Sequence, residues 1–301
     1  MSEPSIHWGA EALWQELVPL LPGLSVEVVA RTLSTNTALL ERARAAPGRR
    51  DDDEQDGVVL RRSVESAAFG RRAVDLQPCL LVAEHQTGGR GRQGRAWQSA
   101  AGASLTFSLG MALAASDWSG LSLAVGVALA EALEPAPTAA PRIGLKWPND
   151  LWLMDAAPQH PAGGRKLGGI LIETVAAGAQ RLVIVGIGLN VQAFDAVEAS
   201  TGFAALQELD PSMAAPVALA RVARPLVLAL QQFEREGFAA FAPRFAARDI
   251  LRGRPVRTTL AEVPEGIARG VSPQGALLVQ TADGVISVAS GEVSVRLAGA
   301  A

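Results

Sequence analysis

Residues 87–97 read Thr-Gly-Gly-Arg-Gly-Arg-Gln-Gly-Arg-Ala-Trp, and what flanks them limits the folds open to the chain. Before them, Cys79–Glu84 is an apolar run of strand length; after them, Ala103–Met111 alternates as a strand does. The stretch contains G-x-G-x-x-G at Gly89, Gly91 and Gly94. A dinucleotide turn, however, needs a helix directly after its glycines, with the helix N-terminus against the pyrophosphate. Here a second strand follows, and Arg90, Arg92 and Arg95 stand where a bare backbone is required, so the Rossmann reading fails. Glycine lets a backbone approach a ligand closely, and arginine brings a permanent charge on a fork that fits phosphate or carboxylate. Together they describe a pliant loop that orders over an anion; composition alone also suits a plain solvated loop.

The 301 residues leave room for one large domain and a small one. A formal net charge of −3 offers no global basic field to nucleic acid. The lone Cys79 rules out an internal disulfide and fits a reducing cytoplasm. Met1–Pro22 lacks the basic start and apolar core of a secretion signal. No apolar run reaches about 18 residues, so no membrane span is expected. Of the 27 basic residues only Lys146 and Lys166 are lysines. A chain that writes arginine nearly everywhere keeps two ammonium groups, both in one stretch of 21 residues.

Periodicity predicts a helix over Gly9–Leu21, a strand over Ser25–Ala30, and a helix from Ser34 through Ala46 with Ser or Thr at its N-cap. The Asp/Arg/Gly-rich block Pro47–Pro78, with its acidic run Asp51–Glu54, reads as a solvated loop. Further helices are expected over Trp118–Leu133, Pro216–Glu236 and Gly237–Arg248, with Pro225 kinking or restarting the second of them. Strands are expected over Arg142–Lys146, Leu151–Met154, Lys166–Val175 and Arg181–Val191, the last two paired, with a loop at Asp155–Gly164. After Asp249 short strands and glycine turns run to Leu297, about the size of a small β-barrel.

The segments EHQTGGRGRQGRAWQS, LKWPNDLWL, GRKLGGILIET and VIVGIGLNV occur in that order, after STN at Ser34–Asn36. This arrangement resembles the biotin protein ligase family, over about Ser34–Arg296. The resemblance implies an α+β fold: a mixed-sheet catalytic domain over residues 1–250 with helices packed on it, and a small C-terminal β-barrel over 251–301. It implies a two-step reaction in a cytoplasmic enzyme. Biotin and ATP, with Mg²⁺, give biotinyl-5′-AMP and pyrophosphate; a lysine of a biotin carboxyl carrier domain, as in acetyl-CoA carboxylase, then takes the biotinyl group. Two alternatives stand beside it: a ligase for another acid such as lipoate, and a non-catalytic regulator that binds biotinyl-AMP. Some members carry an N-terminal repressor domain; about 33 residues precede Ser34, too few for it, so no DNA binding is expected. A homodimer is compatible with the family.

The resemblance also assigns residues. Lys166 is the lysine that meets the reacting carboxylate and α-phosphate, where a compact ammonium fits between two oxygens and a wider guanidinium does not. Lys146 faces the phosphates. Asp150 either binds Mg²⁺ or orients the incoming amine; no metal ligand is otherwise assigned. Biotin falls to Ser34, Thr35, Asn36, Gln86, Gly89, Arg90, Lys166, Gly169 and Gly188. The nucleotide falls to Arg92, which also retains the intermediate, and to Arg95, Trp97, Lys146, Asn149, Asn190 and Arg296, with Glu292 near the site. Gly168, Gly169, Gly186 and Gly188 suit close ligand approach, or else tight strand packing.

Overall fold

The computed structural model describes residues 6–44, 77–134, 141–155, 163–177, 180–194, 202–291 and 293–298. Glu292, the acidic run at 51–54 and most of the two long loops lie outside them. In chain order the elements are α1 (Ala10–Leu17), β1 (Ser25–Thr32), α2 (Thr35–Arg44), β2 (Cys79–Gln86), β3 (Gly89–Arg90), β4 (Ala96–Trp97), β5 (Ser104–Ala112) and α3 (Leu121–Leu133). They continue with β6 (Ile143–Lys146), β7 (Asp150–Met154), β8 (Gly164–Ala177), β9 (Gln180–Asn190), α4 (Ala215–Glu236) and α5 (Ala242–Ala246). Five short strands close the chain: β10 (Pro255–Thr258), β11 (Glu265–Val271), β12 (Leu277–Thr281), β13 (Gly284–Val288) and β14 (Val295–Leu297).

The chain divides into two compact units, and β8 and α4 pass from one to the other. The first unit comprises 1–114, 170–196 and 205–227. Its strands run in the order β1-β2-β5-β9-β8. β1 and β2 are parallel, in a register that sets Thr32 beside Gln86; β5 is antiparallel to both β2 and β9. Along β5 the odd-numbered Leu105, Phe107 and Leu109 are buried, and so are Thr106 and Ser108 on the opposite face. Both faces of this sheet are therefore covered, and α2 packs on one of them against β2, β5 and β9. Leu39 and Leu40 of α2 meet Leu81, Ala83, Val175 and Ile184 in one buried cluster. In α1, Ala10, Leu13 and Leu17 fall on one helical stripe and are buried.

The second unit comprises 115–169, 197–204 and 228–301. It holds the first part of β8 with β7 and β6, all antiparallel, in the order β8-β7-β6. α3 is apolar on nearly every side and ten of its thirteen residues are buried, as expected of a helix enclosed by its surroundings. Beside it Glu134 accepts hydrogen bonds from the Arg142 and Ile143 N–H groups and from Arg248. Burial works to raise the Glu134 carboxyl, but these bonds outweigh it and hold the group below its ordinary range. Asp249 behaves oppositely. Its Oδ1 accepts the Leu251 N–H at 2.9 Å, while its buried Oδ2 has no partner among the described residues. Burial there pushes the carboxyl above its ordinary value, against smaller opposing contributions from the Leu251 and Arg252 N–H groups and the Arg252 charge.

Three expectations need correction. The C-terminal strands form an antiparallel sheet in the order β13-β12-β11-β10-β14 that does not close into a barrel. β14 is only three residues long and pairs with β10 alone, so nothing joins the outer edges. Of the two outcomes expected at Pro225, a restart does not occur: α4 continues through it over 22 residues. Proline deletes one N–H from the ladder, but Leu219, Val222, Leu226, Leu230 and Phe233 are buried along one stripe and hold the helix together. The helix expected over 237–248 is instead a single 3-10 turn at Phe238–Ala240 and the short α5. Gly237, at φ 65°, ends α4, and Pro243 starts α5 at its first turn.

Candidate active site

The Gly/Arg stretch folds as a small hairpin. Gly89 pairs with Trp97 and Arg90 with Ala96. Its tip is the single 3-10 turn Arg92–Gly94, where Gln93 and Gly94 have φ of 57° and 69°. Gly94 suits that backbone at no cost, whereas Gln93 is strained by it. Gly89 is needed for a different reason: a Cβ there would stand 2.5 Å from the Trp97 carbonyl oxygen. Arg90 and Arg95 are exposed, and Arg95 reaches Gln93 Oε1 at 3.2 Å.

Beneath the hairpin the first unit assembles a buried polar line. Because β1 and β2 are parallel and end together at Thr32 and Gln86, the first turn of α2 meets Gln86 across 51 residues of sequence. Gln86 Oε1 accepts the Thr35 N–H at 2.7 Å, a bond to one of the first-turn N–H groups that the helix itself leaves unsatisfied. Ser34 sits at the N-cap, with its Oγ 3.4 Å from the Thr37 N–H. Asn36 donates through Nδ2 to the Leu171 carbonyl at 3.2 Å and to Glu173 Oε2 at 2.9 Å. Those two acceptors fix the amide, so Asn36 Oδ1 faces Ser108 and can only accept. Ser108 Oγ lies 2.6 Å from both Asn36 Oδ1 and Thr35 Oγ1. Its single proton therefore goes to Asn36, and the Thr35 hydroxyl lies within reach of both Ser108 Oγ and Gln86 Oε1, the latter at 3.2 Å.

Two glycines of β9 make this line possible. A Cβ at Gly186 would fall 2.1 Å from Asn36 Oδ1, and one at Gly188 would fall 2.4 Å from the Trp97 ring. In the present arrangement both positions are filled by side chains from other elements. Gln86 Nε2 has no hydrogen-bond partner among the described residues. With its oxygen committed to α2, Gln86 presents a donor.

A second cluster lies in the other unit. Asp150 opens β7 opposite Gly169 of β8, and a register shift between Leu151 and Trp152 brings Lys166 round to the same carboxylate. Lys166 Nζ and Asp150 Oδ1 are 2.8 Å apart, with side-chain exposures of 28% and 14%. A Cβ at Gly169 would be 3.6 Å from each of these atoms, an ordinary contact. Lys146 Nζ donates to the Val295 carbonyl at 2.8 Å and lies 5.7 Å from the Trp152 ring centroid, at a strand whose next residue, Arg296, is exposed. Trp147 is fully buried and donates to the Gly275 carbonyl at 3.0 Å; its bond to Pro148 is cis. Asn149 precedes β7, and Asn190, buried, ends β9 opposite Ser104.

Of the residues expected to act, the structure thus gathers Ser34, Thr35, Asn36, Gln86, Gly89, Arg90, Trp97 and Gly188 in one unit, and Asp150, Lys166 and Gly169 in the other. Two residues that hold this arrangement together went unanticipated. Ser108 carried a signal, a hydroxyl inside an apolar strand. Glu173 carried a weaker one, an acid in the apolar run Ile170–Val175.

Residues 76–190 match the model of the biotin/lipoate A/B protein ligase family, and residues 252–296 that of the biotin protein ligase C terminal domain. The biotin–[acetyl-CoA-carboxylase] ligase of Mycobacterium tuberculosis is 35% identical over 295 residues, 95% of this chain and 91% of that protein. The bifunctional ligase/repressor BirA of Escherichia coli is 38% identical over 225 residues, 72% of this chain; the chain spans 66% of that relative's length. Among solved structures, the biotin protein ligase of Aquifex aeolicus in complex with biotin and ATP matches with a TM-score of 0.66 at 25% identity, covering 91% of this chain and 99% of that one.

Proposed function

The chain belongs to the biotin/lipoate A/B protein ligase family, and from that premise we propose that it joins biotin to ATP and passes the biotinyl group to a lysine of a biotin carboxyl carrier domain of acetyl-CoA carboxylase. The reading rests above all on the buried line Gln86–Thr35–Ser108–Asn36. A bicyclic acid with one polar ring needs mostly apolar walls and a few fixed hydrogen bonds. This line offers a fixed donor, Gln86 Nε2, and the hydroxyls of Thr35 and Ser108. The match to the Mycobacterium tuberculosis ligase across 95% of the chain supports the same acid and acceptor.

The chemistry asks two things of the residues. An anionic carboxylate must approach an anionic α-phosphate, so a cation has to neutralise the encounter. Lys166 supplies it, held in place by Asp150. In the second step an amine attacks the acyl carbon of the mixed anhydride, AMP leaves, and the amine gives up a proton. Asp150 either orients that amine or serves the metal. Arg92, Arg95, Lys146, Asn149, Asn190 and Arg296 serve the nucleotide, and Trp97 lends apolar surface. Mg²⁺ belongs with the ATP phosphates: among the described residues no group of three or more His, Cys, Asp or Glu is placed to hold a metal. Magnesium commonly relies on substrate phosphate and water with one or two carboxylates, and Asp150 fits as one such carboxylate.

On this reading residues 1–250 are the catalytic domain and 251–301 the C-terminal one, supported at its C-terminal end by the family match at 252–296. No helix among the described residues is long and apolar enough to cross a membrane, and the single cysteine supports a cytoplasmic setting.

The test is incubation with biotin, ATP, Mg²⁺ and a purified carrier domain. ATP-dependent biotin transfer to one carrier lysine, with biotin-dependent pyrophosphate release, is the expected result. Transfer of lipoate instead, or tight biotinyl-AMP binding with no labelled carrier, would overturn it.

A further inference from the structure

Glu173 touches both the hairpin and the buried line. Arg90 Nη2 donates to it at 3.2 Å (Oε1) and 3.1 Å (Oε2), and Asn36 Nδ2 donates to Oε2 at 2.9 Å. Asn36 in turn accepts from Ser108, which neighbours Thr35 and, through it, Gln86. Both Asn36 N–H groups are already spent on Leu171 and Glu173, so this amide has no donor left for a ligand. Its place is that of a link. Arg90 is likewise turned onto Glu173. Asn36 and Arg90, two of the residues that resemblance gives to biotin, are joined to each other through a third.

We propose that Glu173 is a positioning residue that latches the Arg90 hairpin to the floor of the biotin cluster. This rests on the biotin-ligase reading for its consequence, though not for its geometry. An ionised carboxylate accepts from several donors at once. A glutamine in its place could accept through one oxygen, but its NH₂ would face a second donor, either Arg90 or Asn36. The latch then opens on one side. The hairpin loosens, and ligands beneath it leave sooner, while Lys166 and Asp150 are untouched.

Three variants test this: Glu173→Gln, Arg90→Met and the double variant. In the ligand-free protein, trypsin cleavage after Arg92 and Arg95 reports hairpin opening. Each single variant should be cut about fivefold faster than the parent, the size expected of a charged pair of intermediate exposure, and the double variant no faster than the singles. With ligand, biotin should dissociate about fivefold faster from Glu173→Gln and KM for biotin should rise similarly, with kcat for pyrophosphate release unchanged. Cleavage and dissociation rates equal to the parent's, or effects that add in the double variant, would overturn the latch. If Glu173→Gln fails to fold, Arg90→Met carries the comparison, since the Arg90 side chain is 44% exposed. A parent protein that binds no biotin would sink the ligase reading instead, and the trypsin comparison would still judge the latch.

Discussion

Lys166 Nζ and Asp150 Oδ1 stand 2.8 Å apart, and a Cβ added to Gly169 would lie 3.6 Å from both. The ammonium is thus pinned to a counter-ion, with an empty side-chain position beside it. Replacing Lys166 by arginine keeps the charge but spreads it over a flat fork. Lys166→Arg should bind biotin as the parent does and form adenylate about 100-fold more slowly, the scale of losing one well-placed charge-stabilising donor. Calorimetric biotin binding alongside pyrophosphate release checks it; parent-like release would remove Lys166 from the reaction.

Glycines 169 and 186 should respond differently to the same methyl group. At Gly186 the methyl would fall 2.1 Å from Asn36 Oδ1, so Gly186→Ala should cost about 1–3 kcal/mol of stability through overpacking. At Gly169 the protein itself leaves room, so Gly169→Ala should keep the parent's Tm while KM for biotin or ATP rises about tenfold, as expected when ligand space is filled. Thermal melts and initial rates separate the two. An equal drop in Tm at both positions would show that Gly169 is there for packing.

Arg92 begins the turn at the hairpin tip. If it retains the intermediate, Arg92→Gly should release biotinyl-AMP into solution and label lysines of a bystander protein several-fold above the parent. Mass spectrometry of a mixed incubation reads this directly, and unchanged selectivity between carrier and bystander would count against the retaining role.

Two carboxylates of the second unit should give opposite pH limbs. Glu134 is held below its ordinary 4.5 despite burial, because Arg248 and two backbone N–H groups outweigh it. Its contribution is therefore present above pH 4.5 and lost as pH falls through the lowered value. Glu134→Gln should lose about 1–3 kcal/mol at neutral pH and blunt the acid limb. Asp249 is raised above 3.8 by burial. Its contribution is complete below pH 3.8 and lost as pH rises through the raised value, so at neutral pH it weakens the fold. Asp249→Asn should raise Tm at pH 7 relative to the parent and leave it unchanged at the acid end. A lower Tm at pH 7 would mean that the orphaned Oδ2 is better tolerated than an amide nitrogen in its place.

What could be read from the chain depended on how local the cause was. The strand over 79–84, the alternation over 103–111 and the break at Gly237 follow from neighbouring residues, and the absence of a helix after Gly94 sufficed to reject a dinucleotide turn. The open C-terminal sheet was not legible, because closure depends on how far the last strand extends, and β14 stops after three residues. Helix α4 survives Pro225 through burial along its stripe, which propensity does not report. Ser108 and Glu173 carried faint signals, but their meeting in one cluster depends on parallel pairing of β1 with β2, which carries α2 over the sheet. Lys146 stood out as one of two lysines, but its bond to the Val295 carbonyl joins residues 149 positions apart.

The Thr35 N–H settles which end of the Gln86 amide points away from α2, and with it the kind of guest that this corner welcomes. A guest bringing a carbonyl oxygen meets a complementary hydrogen; one bringing a protonated imine meets another hydrogen and is repelled. On the biotin reading, the imino analogue of the vitamin should gain affinity as the medium turns alkaline and sheds its proton. A single backbone hydrogen at the start of a ten-residue helix would then sort oxo from imino compounds, with no side chain dedicated to excluding either.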